Sequence, residues 1–246
     1  MGKEGGLGDL CFVDGTDLSG DVGSVGGISG GNTPLLVTGI SQLAAARIGG
    51  QRDGKMDFNS WFNAAAGQEH PTLSTLPTAD RIVSYWHGSA LGNPCASMVA
   101  KQVNYDMTRG SDGALSLAVS AVANGFGLEW GTQVTAGKRS DSTATSPATG
   151  VDFTTVSTSF GWQAYLHVFS FTGTSVTVTL QDSADNSAFA GFTGSAFVAA
   201  TAVGAQRLAG TSAATVRRYI RVITTGTFSQ ATFAVEFVRN DVSVVF

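Results

Sequence analysis

Residues 231–239, Ala-Thr-Phe-Ala-Val-Glu-Phe-Val-Arg, place Phe233, Val235 and Phe237 two positions apart. Side chains two apart share one face of a strand, so this spacing builds a half-buried β-strand and no helix. The same period of two runs through 98–107, 114–123, 163–171 and 174–182. Segments of this length, separated by Gly, Ser, Thr and Asp, predict antiparallel strands joined by tight turns. Glycine is abundant (32) and proline scarce (5), which suits turns more than extended linkers. Helical periodicity is nearly absent. Ser41–Arg47 reads as the best short helix, with Ser41 as N-cap and Gly49 as the stop. The loop from Asn63 to Asp80 has room for one more helical turn. The chain is therefore expected to be mainly all-β, with one short helix.

Further strands are predicted at 11–20, turning at Asp14-Gly15, and at 34–41, 81–87 and 126–135. Val99, Val103, Tyr105 and Met107 are placed on one face, and the alternation continues through Phe126, Leu128 and Trp130. The run 23–34 is too rich in glycine to hold one conformation unaided and reads as a loop that orders against a neighbour. Thr172-Gly173 reads as a tight hairpin turn between two strands. Residues 137–150, Gly-Lys-Arg-Ser-Asp-Ser-Thr-Ala-Thr-Ser-Pro-Ala-Thr-Gly, lack apolar periodicity and read as a linker. The expected division is a β domain at 1–138, a linker at 139–150 and an antiparallel β-sandwich, jelly-roll or immunoglobulin-like, at 151–246. A chain ending near Gly150 is then expected to assemble without the second half.

Composition narrows function. No run of about 18 apolar residues exists, and the start has neither an apolar signal core nor a myristoylation pattern. The chain is thus expected to be soluble and made in the cytoplasm. Residues 1–145 carry 9 basic and 13 acidic side chains, and 146–246 carry 5 of each. A protein that grips nucleic acid shows a basic patch, because phosphate contacts dominate affinity. Here the balance is reversed.

The residues for catalysis are missing or misplaced. Gly27-Ile28-Ser29-Gly30-Gly31 fits the G-x-S-x-G pattern, but no buried strand and helix flank it as a nucleophile elbow requires. His70, His87 and His167 are far apart in sequence. Asp14, Asp17 and Asp21 depart from calcium-loop spacing and read as turn formers, as do Asp182 and Asp185. Arg217, Arg218 and Arg221 read as a solvated face or an intersubunit salt bridge. Cys11 and Cys95 lie in apolar surroundings without CxxC spacing and read as buried free thiols. No enzyme, no cofactor and no metal site is expected.

Residues 49–63, Gly-Gly-Gln-Arg-Asp-Gly-Lys-Met-Asp-Phe-Asn-Ser-Trp-Phe-Asn, stand apart. A charged turn leads into a strand with large apolar groups on both parities, Met56, Phe58 and Phe62 on one and Trp61 on the other. A strand apolar on both faces needs two partners. Over residues 34–63 the sequence resembles the major tail tube proteins of long-tailed phages. Val37-Thr38-Gly39-Ile40, Arg47, the Gly50-to-Gly54 turn and the aromatic run Phe58–Phe62 carry that resemblance. The paired strands within 96–125 extend it over about the first 135 residues.

The resemblance implies a tail-tube-like sandwich or barrel in the first domain. It further implies hexameric rings stacked into a tube, through which DNA passes on ejection as non-specific cargo. Partners would be other copies of the chain and other tail proteins, with no membrane involved, and the location would be the virion tail after synthesis in the host cytoplasm. An acidic lumen would let DNA slide. The expected assembly contacts are Arg47, Arg52, Asp53, Lys55, Met56, Phe58, Trp61 and Phe62. The alternative is a carbohydrate- or surface-binding module, such as a capsid decoration or baseplate protein, with Trp162 and Tyr165 as stacking platforms.

Overall fold

In a computed structural model, which describes residues 5–243, Asp14 and Gly15 both have positive φ, 48° and 83°. That local geometry folds β1 (Leu10–Val13) straight back onto β2 (Thr16–Asp17). The first four residues, on which the reading against myristoylation partly rests, lie outside the described part.

The strands that follow are longer than the sequence suggests. β3 (Val22–Leu36) pairs with β4 (Arg47–Trp61) as one hairpin. The short helix α1 (Glu69–Leu73) follows, then β5 (Arg81–Trp86), β6 (Pro94–Arg109), β7 (Leu115–Ala123) and β8 (Glu129–Gln133). β9 (Arg139–Asp141) and β10 (Val151–Asp152) are brief. β11 (Trp162–Ser183) and β14 (Tyr219–Arg239) form a long two-stranded ribbon, flanked by β12 (Ala190–Ala196) and β13 (Gly204–Ala209). All pairings are antiparallel in one fourteen-stranded sheet, so the all-β expectation with one short helix holds.

Four local expectations are corrected. Ser41–Arg47 is not a helix: it forms the end of the β3–β4 hairpin, and Arg47 already belongs to β4. Seven residues with Leu43 fully exposed have no packing to hold a helix. The glycine-rich run 23–34 is strand, not loop. Gly30 and Gly54 are cross-strand partners, and the space above them is taken by Leu128. Those glycines make room for a side chain. Thr172-Gly173 is no hairpin turn but a bulge inside β11, with Gly173 at φ 152°. A Cβ there would lie 2.4 Å from the Phe228 Cα, so the glycine marks close approach of β14. Finally, Val103 does not share a face with Tyr105, because a bulge between Gln102 and Asn104 shifts the parity.

Two main cores result. One gathers Met56, Phe58, Leu73, Met98, Val119 and Leu128 in the first half. The other gathers Trp162, Leu166, Val178, Ile220, Phe233 and Phe237 in the second. A third cluster, Phe12, Trp86, Cys95 and Ala234, takes residues from both halves. β8 joins them by pairing with β6 on one side and β14 on the other. Residues 139–150 lie along this second half: β9 pairs with β14, and Thr145 bridges Thr224.

Candidate assembly interface

β3 and β4 each run 15 residues, about 50 Å at about 3.3 Å per residue. Only the inner part of this hairpin is anchored. Gly54, Met56, Phe58 and Ser60 face the chain's own core, opposite Ala121, Val119 and Leu117 of β7. Beyond Leu128, whose N–H donates to Asp53 O (3.4 Å), residues 32–51 project from the body. The projecting arm carries Leu35, Leu36, Val37, Ile40, Leu43 and Ile48, all exposed, and Arg47 is the only charge between residues 31 and 51. Its tip is closed by its own hydrogen bonds: Val37 N–H to Ala46 O (2.9 Å), Ala46 N–H to Thr38 Oγ1 (3.1 Å) and Gly39 N–H to Gln42 Oε1 (2.7 Å). An ordered arm with an apolar surface is the mark of a contact surface.

The eight expected contact residues separate along this arm. Arg47, Asp53 and Lys55 are exposed, and Arg52 is half-buried. Met56 and Phe58 are 3% and 4% exposed and belong to the chain's own core, which leaves them no surface to offer a neighbour. Trp61 is 54% exposed on the opposite parity, where its indole lies over Gly23. Phe62, 36% exposed, packs its ring 4.8 Å from His70. The strand is therefore apolar inward by Met56 and Phe58 and presents Trp61 outward.

Apart from Trp61, the outward face of β4, β7 and β6 is polar. Lys55 pairs with Asp57 (2.8 Å), Asp57 accepts a bond from Ser120 (2.6 Å), and Asn104 donates to Asp106 (2.8 Å). Burial works against the Asp57 carboxyl, but the Lys55 and Ser120 bonds hold it below its usual range. The inward face near the arm's base is closed by α1. Asp21 accepts the Glu69 N–H (3.0 Å) and an Asn63 amide bond (2.8 Å), while Tyr105 reaches His70 (2.8 Å) and Glu69 (3.2 Å). Burial raises the Glu69 carboxyl above its ordinary range.

Two strand edges stay open. Among the described residues, β3 pairs with β4 alone, and β6 beyond Ala100 pairs with β7 alone. β3 has no charged residue along its length. Soluble proteins usually guard such an edge with lysine or cover it; outer β6 carries Lys101, Asp106 and Arg109, whereas β3 has neither guard. The sequence does not reveal this, because edge status depends on which strands pair.

The remaining sequence candidates are accounted for. Trp162 and Tyr165 are fully buried, so neither offers a ring face for a sugar. Gly27–Gly31 lies within β3, without the strand-turn-helix of an elbow. Asp185 accepts the Ser187 and Ala188 N–H groups (2.9 Å each), a turn-capping role. Arg217 binds Asp182 and Arg218 binds Asp152 as ion pairs. Cys11 and Cys95 are free and buried. The alternation through Phe126, Leu128 and Trp130 does not form one inward face: Leu128 is buried, but β8 turns Trp130 outward and buries Glu129, which sequence reasoning missed and which pairs with Arg207 (2.8 Å). Arg207 lies more than 75 residues away in sequence, so no local pattern signals that pair.

No family model and no curated protein matches this sequence. Among solved structures, a chain of the native gene transfer agent virion is similar at 14% identity and a TM-score of 0.43. The match covers 52% of this chain and 98% of that one. A chain in the tail of an empty gene transfer agent particle, with C6 symmetry, matches over the same shares at 14% and 0.41. The SPP1 Dit protein, described as a hub of the adsorption apparatus in phages infecting Gram-positive hosts, matches at 12% and 0.32, over 94% of this chain and 99% of that one. With TM-scores below 0.5, none of these likenesses fixes the role of this chain.

Proposed function

We propose that this chain is a structural virion protein of a phage-type tail, which closes into rings and stacks them into a conduit for DNA. The observation that carries this reading is the pair of open edges, uncharged β3 and outer β6, on opposite sides of one four-stranded sheet (β3–β4–β7–β6). Pairing β3 of one copy with β6 of the next is a heterologous contact, and such contacts close into rings when the rotation permits. The polar face with Asp57, Asn59, Asn104 and Asp106 would line the lumen, where acidic groups do not hold phosphate. The apolar arm would reach the next ring. Residues 1–138 form the ring unit in this reading, and 151–246 stand outside it.

Sedimentation velocity with negative-stain microscopy tests the proposal. Rings or tubes are expected to form with rising concentration. Gly27→Lys is the paired control: an added Cβ at Gly27 meets nothing within 4 Å, so the variant folds but carries a charge on the open edge. Loss of rings in that variant supports the reading. A wild-type chain that stays monomeric at every concentration and salt overturns it. Single rings without stacks would place the chain at a tail end, such as a baseplate, instead of along a tube.

A further inference from the structure

The two halves of the chain meet at a buried, directed chain of hydrogen bonds. Gly15 donates its backbone N–H to His167 Nδ1 (3.1 Å), so the neutral ring carries its proton on Nε2. That Nε2 lies 2.8 Å from Ser84 Oγ, and Ser84 Oγ lies 2.6 Å from Ser97 Oγ. Ser97 donates to Glu236 Oε2. Gly15, Ser84 and Ser97 belong to the first half, His167 and Glu236 to the second. Every side chain of the series is essentially excluded from solvent. Glycines make the fit possible: a Cβ on Gly15 would lie 2.7 Å from Val168 O, and one on Gly131 would lie 2.6 Å from Glu236 Oε1.

The series tolerates only one charge state. A proton on Nδ1 would confront the Gly15 N–H with a second donor. Glu236 Oε1 has no hydrogen-bond partner among the described residues, so a carboxylate here would be buried half-solvated. The charged groups nearest Glu236 make this worse on balance. Glu129 of β8 lies on the same side, although it is paired with Arg207 of β13 and bonded by Tyr165 of β11; the neighbouring Cys95 and Ser97 of β6 are neutral. Around His167 stand the Phe12 and Phe169 rings and Ser84.

We propose that this series is a proton-gated joint: it holds the two halves together only while Glu236 and His167 are both uncharged, and it opens when either ionises. The inference does not depend on the assembly role. Burial pushes the Glu236 carboxyl up from 4.5 to about 8; the Ser97 bond and the nearby Cys95 thiol pull the other way, and the Glu129 charge adds to the rise. Burial lowers His167 from 6.5 to about 3. The Glu236 contribution is therefore complete below pH 4.5 and disappears as pH rises to about 8. The His167 contribution is complete above pH 6.5 and disappears as pH falls to about 3. Between 4.5 and 6.5 the two slopes cancel, and the joint is tightest there.

Cys95, fully buried beside Glu236, reports the opening. Its alkylation in the native full-length chain would be followed by peptide mass spectrometry and divided by the rate for denatured chain at the same pH. The corrected rate is expected to rise about tenfold per pH unit above pH 6.5 and to level off near pH 8. In Glu236→Gln the rise should vanish. An unchanged slope in that variant, or a flat wild-type profile, overturns the proposal. So does equal acceleration at Cys11, which would mean that the whole chain loosens. Should Glu236→Gln not fold, infrared titration of the wild type decides: a protonated-carboxyl band must persist at pH 6.5 and fade near pH 8, and its absence at pH 6.5 overturns the joint.

Discussion

Leu43, at the tip of the β3–β4 arm, is fully exposed in a segment with almost no charge, whereas Glu236, at the joint between the halves, is fully buried among polar groups. Each placement is the reverse of what solvation favours for that side chain. The arm leaves apolar area and strand edges bare, which a lone chain gains nothing from and a neighbour would cover. The joint buries polar groups but gives nearly every one a partner, so the cost of desolvation is met within the chain. The contrast teaches where specificity resides. The joint is met within the chain; the arm, in the proposed reading, is met by a neighbouring copy.

The largest expected effect comes from cutting the joint. A chain ended at Gly150 loses Ala234, His167 and Glu236, and so bares Phe12, Trp86 and Cys95 and leaves Ser84 and Ser97 with only each other as partners. Each large side chain returned to water forfeits about 1.5–3 kcal/mol. The truncated chain is expected to aggregate or expand, read by size-exclusion chromatography and near-ultraviolet dichroism. A soluble, assembling 1–150 chain would instead show that the halves are separable, as the composition of 137–150 suggests.

Two substitutions on β4 separate its inward from its outward face. Phe58→Ala empties a buried site in the first core and should cost about 3–5 kcal/mol in denaturant unfolding. Trp61→Ala, three residues on but facing outward, should change stability by about 1 kcal/mol or less while impairing ring formation. Equal destabilisation by both would mean that Trp61 serves the chain's own core. The smallest effect belongs to Lys55→Ala. Its ion pair with Asp57 is largely exposed, so unfolding stability should shift by no more than about 0.5 kcal/mol, and any larger assembly defect would place Lys55 in the interface.

Local chemistry was legible where strands are short and turn residues explicit. The Asp14-Gly15 turn, β5 and the β6–β7 pair follow from alternation and glycine placement alone. Glycine misled where it serves space instead of turning: Gly30 and Gly54 seat Leu128, and Gly173 lets β14 pass close. Both functions leave the same letter in the sequence. Of the contact residues, the outward parity of Trp61 was readable from period two, but the burial of Met56 and Phe58 required knowing that β7 covers them. The joint was illegible because Ser84, His167 and Glu236 are brought together across separations of 83 residues and more, through strands whose pairing no local signal fixes.

In the proposed ring, the open edges of β3 and β6 join copies of the chain. Gly27→Cys and Asp106→Cys together place one thiol near each edge, while the native Cys11 and Cys95 stay buried and unreactive. Treatment with a short bis-maleimide under assembling conditions should give a ladder on a denaturing gel that ends at one closed-ring band, with neither single variant forming more than dimers. A chain that remains monomeric under the reagent, or a single variant that produces the same ladder, would contradict edge pairing and with it the proposed ring.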